Sequence, residues 1–122
     1  MVAVTIVQHR GTDPNGTLAQ ILNAPILGER HRESFKIRCA SLDSIAADIK
    51  GRRFVFNAQG LPTSGRVVGI VLYEDNAIAA QYIDCNFPVK RLAALILSAT
   101  SLERNQVLPA LSIHGVDLIF IR

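Results

Sequence analysis

Between Phe54 and Glu74, two runs of aromatic and β-branched residues, FVF and RVVGIVLYE, flank the loop NAQGLPTSG. Residues of these types favour the half-buried, pleated surface of a sheet. The loop is made of turn formers: Pro62 pre-sets φ and Gly65 tolerates positive φ. The chain must therefore turn back on itself here, and a β-hairpin is the simplest way to do so. A phosphate-cradling loop would end in Gly-Lys-Ser/Thr and open a helix. This loop does neither, so it reads as a corner that serves geometry.

The second run is apolar on both sides. Val68, Ile70 and Leu72 share one face by alternation, and Val67, Val71 and Tyr73 share the other. A strand of this kind is central or covered by layers on both faces. Val67, Val71 and Tyr73 are therefore candidate interface residues, to be covered by the N-terminal segment or by a partner subunit. Gly69, inside the strand, marks a bulge or a close backbone approach.

The rest of the chain adds elements around this hairpin. Val2, Val4 and Ile6 alternate as a first strand. Leu18, Ile21 and Leu22 predict a short helix over 17–24, ended by Pro25. LGERHRES, residues 27–34, reads as a charged connector, with Arg30 and Arg32 as candidate rim contacts of an assembly. Phe35, Ile37 and Cys39 alternate against Lys36 and Arg38, the pattern of a half-buried strand. Residues 41–51 fit both templates. Leu42, Ile45, Ala46 and Ile49 have helical spacing, whereas Ile45, Ala47 and Ile49 alternate. EDNA is a turn, followed by a return strand over 78–85. Val89, Leu92, Ala93, Ile96 and Leu97 give the principal amphipathic helix, over about 88–100. Lys90 and Arg91, near its positive end, are candidates to face an acidic partner. Residues 111–121 read as one or two strands bent at His114-Gly115. These elements give one domain, residues 1–122, of the α+β class: a mainly antiparallel, sandwich-like β-sheet with one principal helix.

Composition narrows the function. Apolar residues make up 49% of the 122 residues and charged residues 19%. The apolar share is at the top of the ordinary range and the charged share is low, so apolar surface remains for a partner, in a homo-oligomer or a larger assembly. The net charge of +3 is spread over small basic groups, and the chain has no Trp. That argues against nucleic acid as the main partner; weak binding through Lys36, Lys50, Arg52 and Arg53 is the alternative. The N-terminus lacks a basic n-region and a cleavage site, and no apolar stretch approaches the length of a membrane span. No signal peptide or transmembrane segment is therefore expected.

Specific chemistry is not encoded in any recognisable motif. His9, His31 and His114 lack metal-site spacing, and Cys39 and Cys85 match no zinc pattern. Either the two cysteines are buried free thiols or they bridge a long loop. Asp43/Asp48 and Glu74/Asp75 fall near expected turns or surface faces. With no nucleophile elbow or Cys-family signature, the reading is a non-catalytic chain with no cofactor and no metal. A small ligand-binding or enzymatic domain, with a pocket at the sheet end, is the alternative.

The run ADIKGRRFVFNAQGLPTSGRVVGIVLYE resembles a β-rich module found upstream of the calcium-binding repeats in α-proteobacterial RTX-type secreted proteins. Asp48, Gly51, Phe54, Gly60, Pro62, Thr63, Gly65, Val67, Gly69 and Ile70 stand at matching positions. His114-Gly115-Val116-Asp117 is similar to the onset of the repeats. The likeness spans about residues 45–118. The repeats themselves are absent, so their calcium sites are not carried over, and Arg66 stands where that module tends to have Thr. The resemblance implies a strand over 45–49 and a non-catalytic β-rich module; the leading reading is a structural or adhesive module, with an extracellular surface as one setting. A virion accessory or tail component fits the same description.

Overall fold

The computed structural model describes residues 4–11, 13–97, 101–111, 113 and 115–120. The loop of residues 57–61 is indeed a hairpin corner. It joins β4 (Ile45–Phe56) to β5 (Pro62–Glu74), the two longest strands. The side chain of Asn57 closes the turn: its Oδ1 accepts from the backbone N–H of Gln59 and of Leu61, both at 3.0 Å. The Gly60 N–H donates to the Asn57 carbonyl at 2.9 Å, with Gly60 at φ +82°. These amides are used within the turn, which leaves them unavailable to cradle an anion. At its base Phe35, Phe54 and Phe56 pack edge to face, with ring centroids 5.1–6.3 Å apart. That geometry is favoured by the ring quadrupoles.

The remaining strands are β1 (Val4–Gln8), β2 (Pro25–Arg30), β3 (Ser34–Cys39), β6 (Ala77–Ile83), the two-residue β7 (Phe87–Pro88) and β8 (Val116–Phe120). All eight belong to one sheet, in the order β2-β3-β4-β5-β6-β1-β8, with β7 beside β5. The ladders are antiparallel except β1–β8, which is parallel, so the sheet is mixed. The layer opposite the sheet is helical, where the sequence pointed to a sandwich-like arrangement. It contains α1 (Pro14–Asn23), α2 (Val89–Leu97), a 3-10 turn (Arg104–Gln106) and the short α3 (Val107–Ala110).

Four sequence expectations shift. The first helix starts at Pro14, whose fixed φ and missing N–H suit the first helical position. It has ten residues, and α2 has nine among the described residues, so the two helices are of similar described length. Within α2, Val89 and Leu92 are buried and Ile96 is half-buried, but Leu97 is exposed; residues 98–100 lie outside the described set. Most of the expected connector 27–34 is strand. Pro25 opens edge strand β2, where its missing N–H costs no ladder bond. Residues 41–51 resolve as strand from Ile45 onward, with Ile45, Ala47 and Ile49 buried by alternation. Asp48 consequently lies mid-strand and only 8% exposed, not near a turn.

The core lies between the sheet and the helices. Leu18, Ile21 and Leu22 of α1 and Val89 and Leu92 of α2 pack against Phe35, Ile37, Ile49, Ile70, Leu72 and Tyr82. Polar latches fix the helices in place. Tyr82 donates its hydroxyl proton to Asn15 Oδ1 at 2.6 Å. Asn23 exchanges two hydrogen bonds, 2.8 and 2.6 Å, with the backbone of Leu102.

Candidate functional site

The helices cover one face of the sheet, and the register ladders define what occupies the other. Lys36, Asp48, Val71, Gln81, Val7 and Ile119 form one continuous row across β3, β4, β5, β6, β1 and β8. A second row runs Arg38, Ala46, Tyr73 and Ile78. The face thus has a charged end on β3 and β4 and an apolar end on β6, β1 and β8. At the charged end Lys50 Nζ lies 3.3 Å from Asp48 Oδ2, and Lys36 stands directly across the ladder from Asp48. Nearly buried charge is tolerable when paired in this way. A shallow groove of about 330 Å³, lined by Lys36, Arg38, Ala46, Asp48, Tyr73 and Asn76, opens there.

The apolar end runs to an edge that no other strand covers among the described residues. β8 is the last strand in the order, and all five of its residues are exposed. Val116, Leu118 and Phe120 share the register side of buried Val4 and Ile6, while Ile119 shares that of Val7. Four large apolar side chains on an edge with no further strand among the described residues form a template for another strand. The opposite edge is blunted. β2 carries Pro25, Gly28, Glu29 and Arg30, and its register slips between Leu27 and Arg30. These are the usual protections against edge pairing, and β8 has only Asp117.

The seven candidate interface residues do not form one patch. Val71 and Tyr73 are half-buried on the open face, as alternation required. Val67 is fully buried in the core. The reason is a bulge. The β4–β5 register shifts between Lys50/Gly51, so that Lys50 opposes Gly69 while Gly51 opposes Val67. The extra residue, Val68, moves Val67 onto the side of Ile70 and Leu72. The expected grouping of Val68 with those two is corrected accordingly. Lys90 and Arg91 are exposed on α2, on the helical side. Arg30 lies over Gly60 of the hairpin corner, and the Arg32 carbonyl accepts from the Phe54 N–H at 2.8 Å.

The β8 side chains were missed because alternation identifies a strand and not its place in the sheet. The available signal was the run VDLIF, with one charge in five residues and no proline.

The reactive side chains stand apart. His9 Nε2 pairs with Gln81 Nε2 at 3.0 Å, and exposed His31 lies 3.7 Å from Glu29; His114 is outside the described residues. Cys39 and Cys85 are buried free thiols. Among the described residues no three His, Cys, Asp or Glu side chains converge as a metal site, and no helix is long and apolar enough to cross a membrane. No protein-family model, curated protein or solved structure matches the chain.

Proposed function

We propose that this protein is a non-catalytic assembly module that pairs with a second copy of itself, or docks on a larger protein surface, through the β8 edge and the adjoining apolar end of the open sheet face. The observation that carries this reading is β8 itself: a terminal strand, exposed at every residue, with apolar side chains on both faces. Its sequence suits a symmetric antiparallel pair. Centred on Leu118, such a pair sets Asp117 across from Ile119 and Val116 across from Phe120, so no like charges oppose one another. A virion component or an extracellular adhesive module is the setting in which such an edge would serve assembly.

Sedimentation velocity over a range of protein concentrations tests the reading. The expected result is reversible association that Leu118→Lys abolishes without unfolding the chain. A wild type that stays monomeric at the highest concentrations, indistinguishable from Leu118→Lys, refutes self-association through this edge.

A further inference from the structure

The hairpin has a second feature, at the opposite end from its groove. Arg52 and Arg66 are direct cross-strand partners on β4 and β5. Like charges placed directly opposite one another weaken a ladder. Arg53 follows at φ +55°, a backbone region that non-glycine residues rarely adopt. The three arginines, with Ser64 and Gly65, line a cleft of about 420 Å³. Gly65 is required there: its φ is +120°, and a Cβ would stand 2.8 Å from the Arg52 carbonyl.

The charge in this cleft has no ion-pair partner among the described residues. Among the described residues the ion pairs join Glu29 to His31, Asp48 to Lys50 and Asp13 to Arg104. None of these carboxylates reaches Arg52, Arg53 or Arg66. Arg66 is nonetheless held in place. Its Nε donates to Asn86 Oδ1 at 2.7 Å and its Nη2 to the Asn86 carbonyl at 3.3 Å. One edge of the guanidinium is thus anchored by a neutral partner that leaves its charge intact.

We propose that Arg52, Arg53, Arg66 and Ser64 form a binding site for a phosphate-class oxyanion. The guanidinium fork matches a tetrahedral phosphate, and the serine hydroxyl adds a neutral donor. An anion seated between Arg52 and Arg66 converts a repulsive cross-strand pair into a bridged one. The residues that line it include no aromatic side chain on which a base could stack, so the site reads the phosphate and not a base or ring attached to it. Two sources carry this chemistry: a small free phosphate compound, or the phosphodiester of a nucleic-acid strand.

Amide shifts of the ¹⁵N-labelled full chain test the proposal, in titrations with pyrophosphate and, separately, with a short single-stranded oligonucleotide, each against chloride at matched ionic strength. The expected result is saturable shifts at residues 52–53 and 64–66. Arg52→Gln and Arg66→Gln each weaken binding about tenfold or more, as loss of a charge-assisted contact requires. Arg66→Lys keeps the charge but loses the fork, and falls between them and the wild type. Saturation by pyrophosphate in salt-matched buffer identifies a small phosphate ligand. Binding of the oligonucleotide alone, with a salt dependence that Arg52→Gln flattens, identifies the phosphodiester. The proposal is overturned if neither ligand gives saturable shifts at these amides. It is equally overturned if the affinity is the same in wild type, Arg52→Gln and Arg66→Gln. Unliganded Arg52→Gln, relieved of the like-charge contact, should melt no lower than the wild type, so that loss of binding cannot be ascribed to unfolding.

Discussion

The thiol of Cys85 is buried and lies 3.7 Å from the Tyr82 carbonyl. Burial, reinforced by the nearby Asp84 carboxylate, pushes its pKa up from 9.0 to about 12. In the unfolded chain the same thiol ionises near 9, so between about pH 9 and 12 the unfolded state loses a proton that the folded state keeps. Stability is therefore full below pH 9 and falls as pH rises through that window. Denaturant midpoints measured from neutral pH upward should decline there, and Cys85→Ala should flatten the decline. Buried Tyr82, whose pKa is also raised, leaves part of it in place. Glycines make a second test. A Cβ on Gly51 would meet the Arg66 carbonyl and the Phe54 ring, whereas one on Gly28 would find ordinary contacts with Lys36 at 3.4 and 3.6 Å. Gly51→Ala should cost about 1–3 kcal/mol by overpacking, measured by chemical denaturation. Gly28→Ala should change stability by less than about 0.5 kcal/mol, because Gly28 is a half-buried position on an edge strand where the added methyl meets only ordinary contacts.

At the scale of elements, β5 shows what alternation can and cannot settle. The pattern through Ile70, Leu72, Val71 and Tyr73 was legible because the side-chain period is two and their pairing is regular. Val67 was not, because one extra residue at Val68 inverts the parity of everything before it, and apolar residues stand on both sides of the shift. Gly69, beside the bulge, was the visible trace. Strand β2 was hidden for another reason: an edge strand need not be apolar, so Leu27 to Arg30 resembles a connector. β8 was legible as a strand but not as an edge, since the order of strands depends on pairing between distant segments. Ile119→Lys supplies the element-scale prediction. The side chain is exposed, so the melting temperature should hold, with a stability change within about 0.5 kcal/mol. Concentration-dependent association in sedimentation should nevertheless be lost.

At the scale of the whole molecule, the arrangement of layers predicts a gradient of local stability. β3, β4, β5 and β6 are paired on both sides and carry the buried face, so their amides should exchange only by global unfolding. Among the described residues β8 has one neighbouring strand, β1, and all five of its own residues are exposed. Its amides should exchange by local opening in dilute protein and gain protection as concentration rises, if the edge is paired in the assembly. Hydrogen exchange at two concentrations reads both. The phosphate-class site was only half legible. Arg52 and Arg53 are adjacent in sequence, but Arg66 joins them through the ladder, and nothing local announces the pairing.

The chain has two tyrosines and no tryptophan. Tyr82 is sealed inside against α1 with its hydroxyl committed to Asn15, while Tyr73 lines the groove on the uncovered side of the sheet. The molecule therefore carries its own pair of ultraviolet reporters, one on each side of the β layer. In Tyr73→Phe the remaining emission follows the integrity of the interior. In Tyr82→Phe it follows whatever comes to rest on the outside.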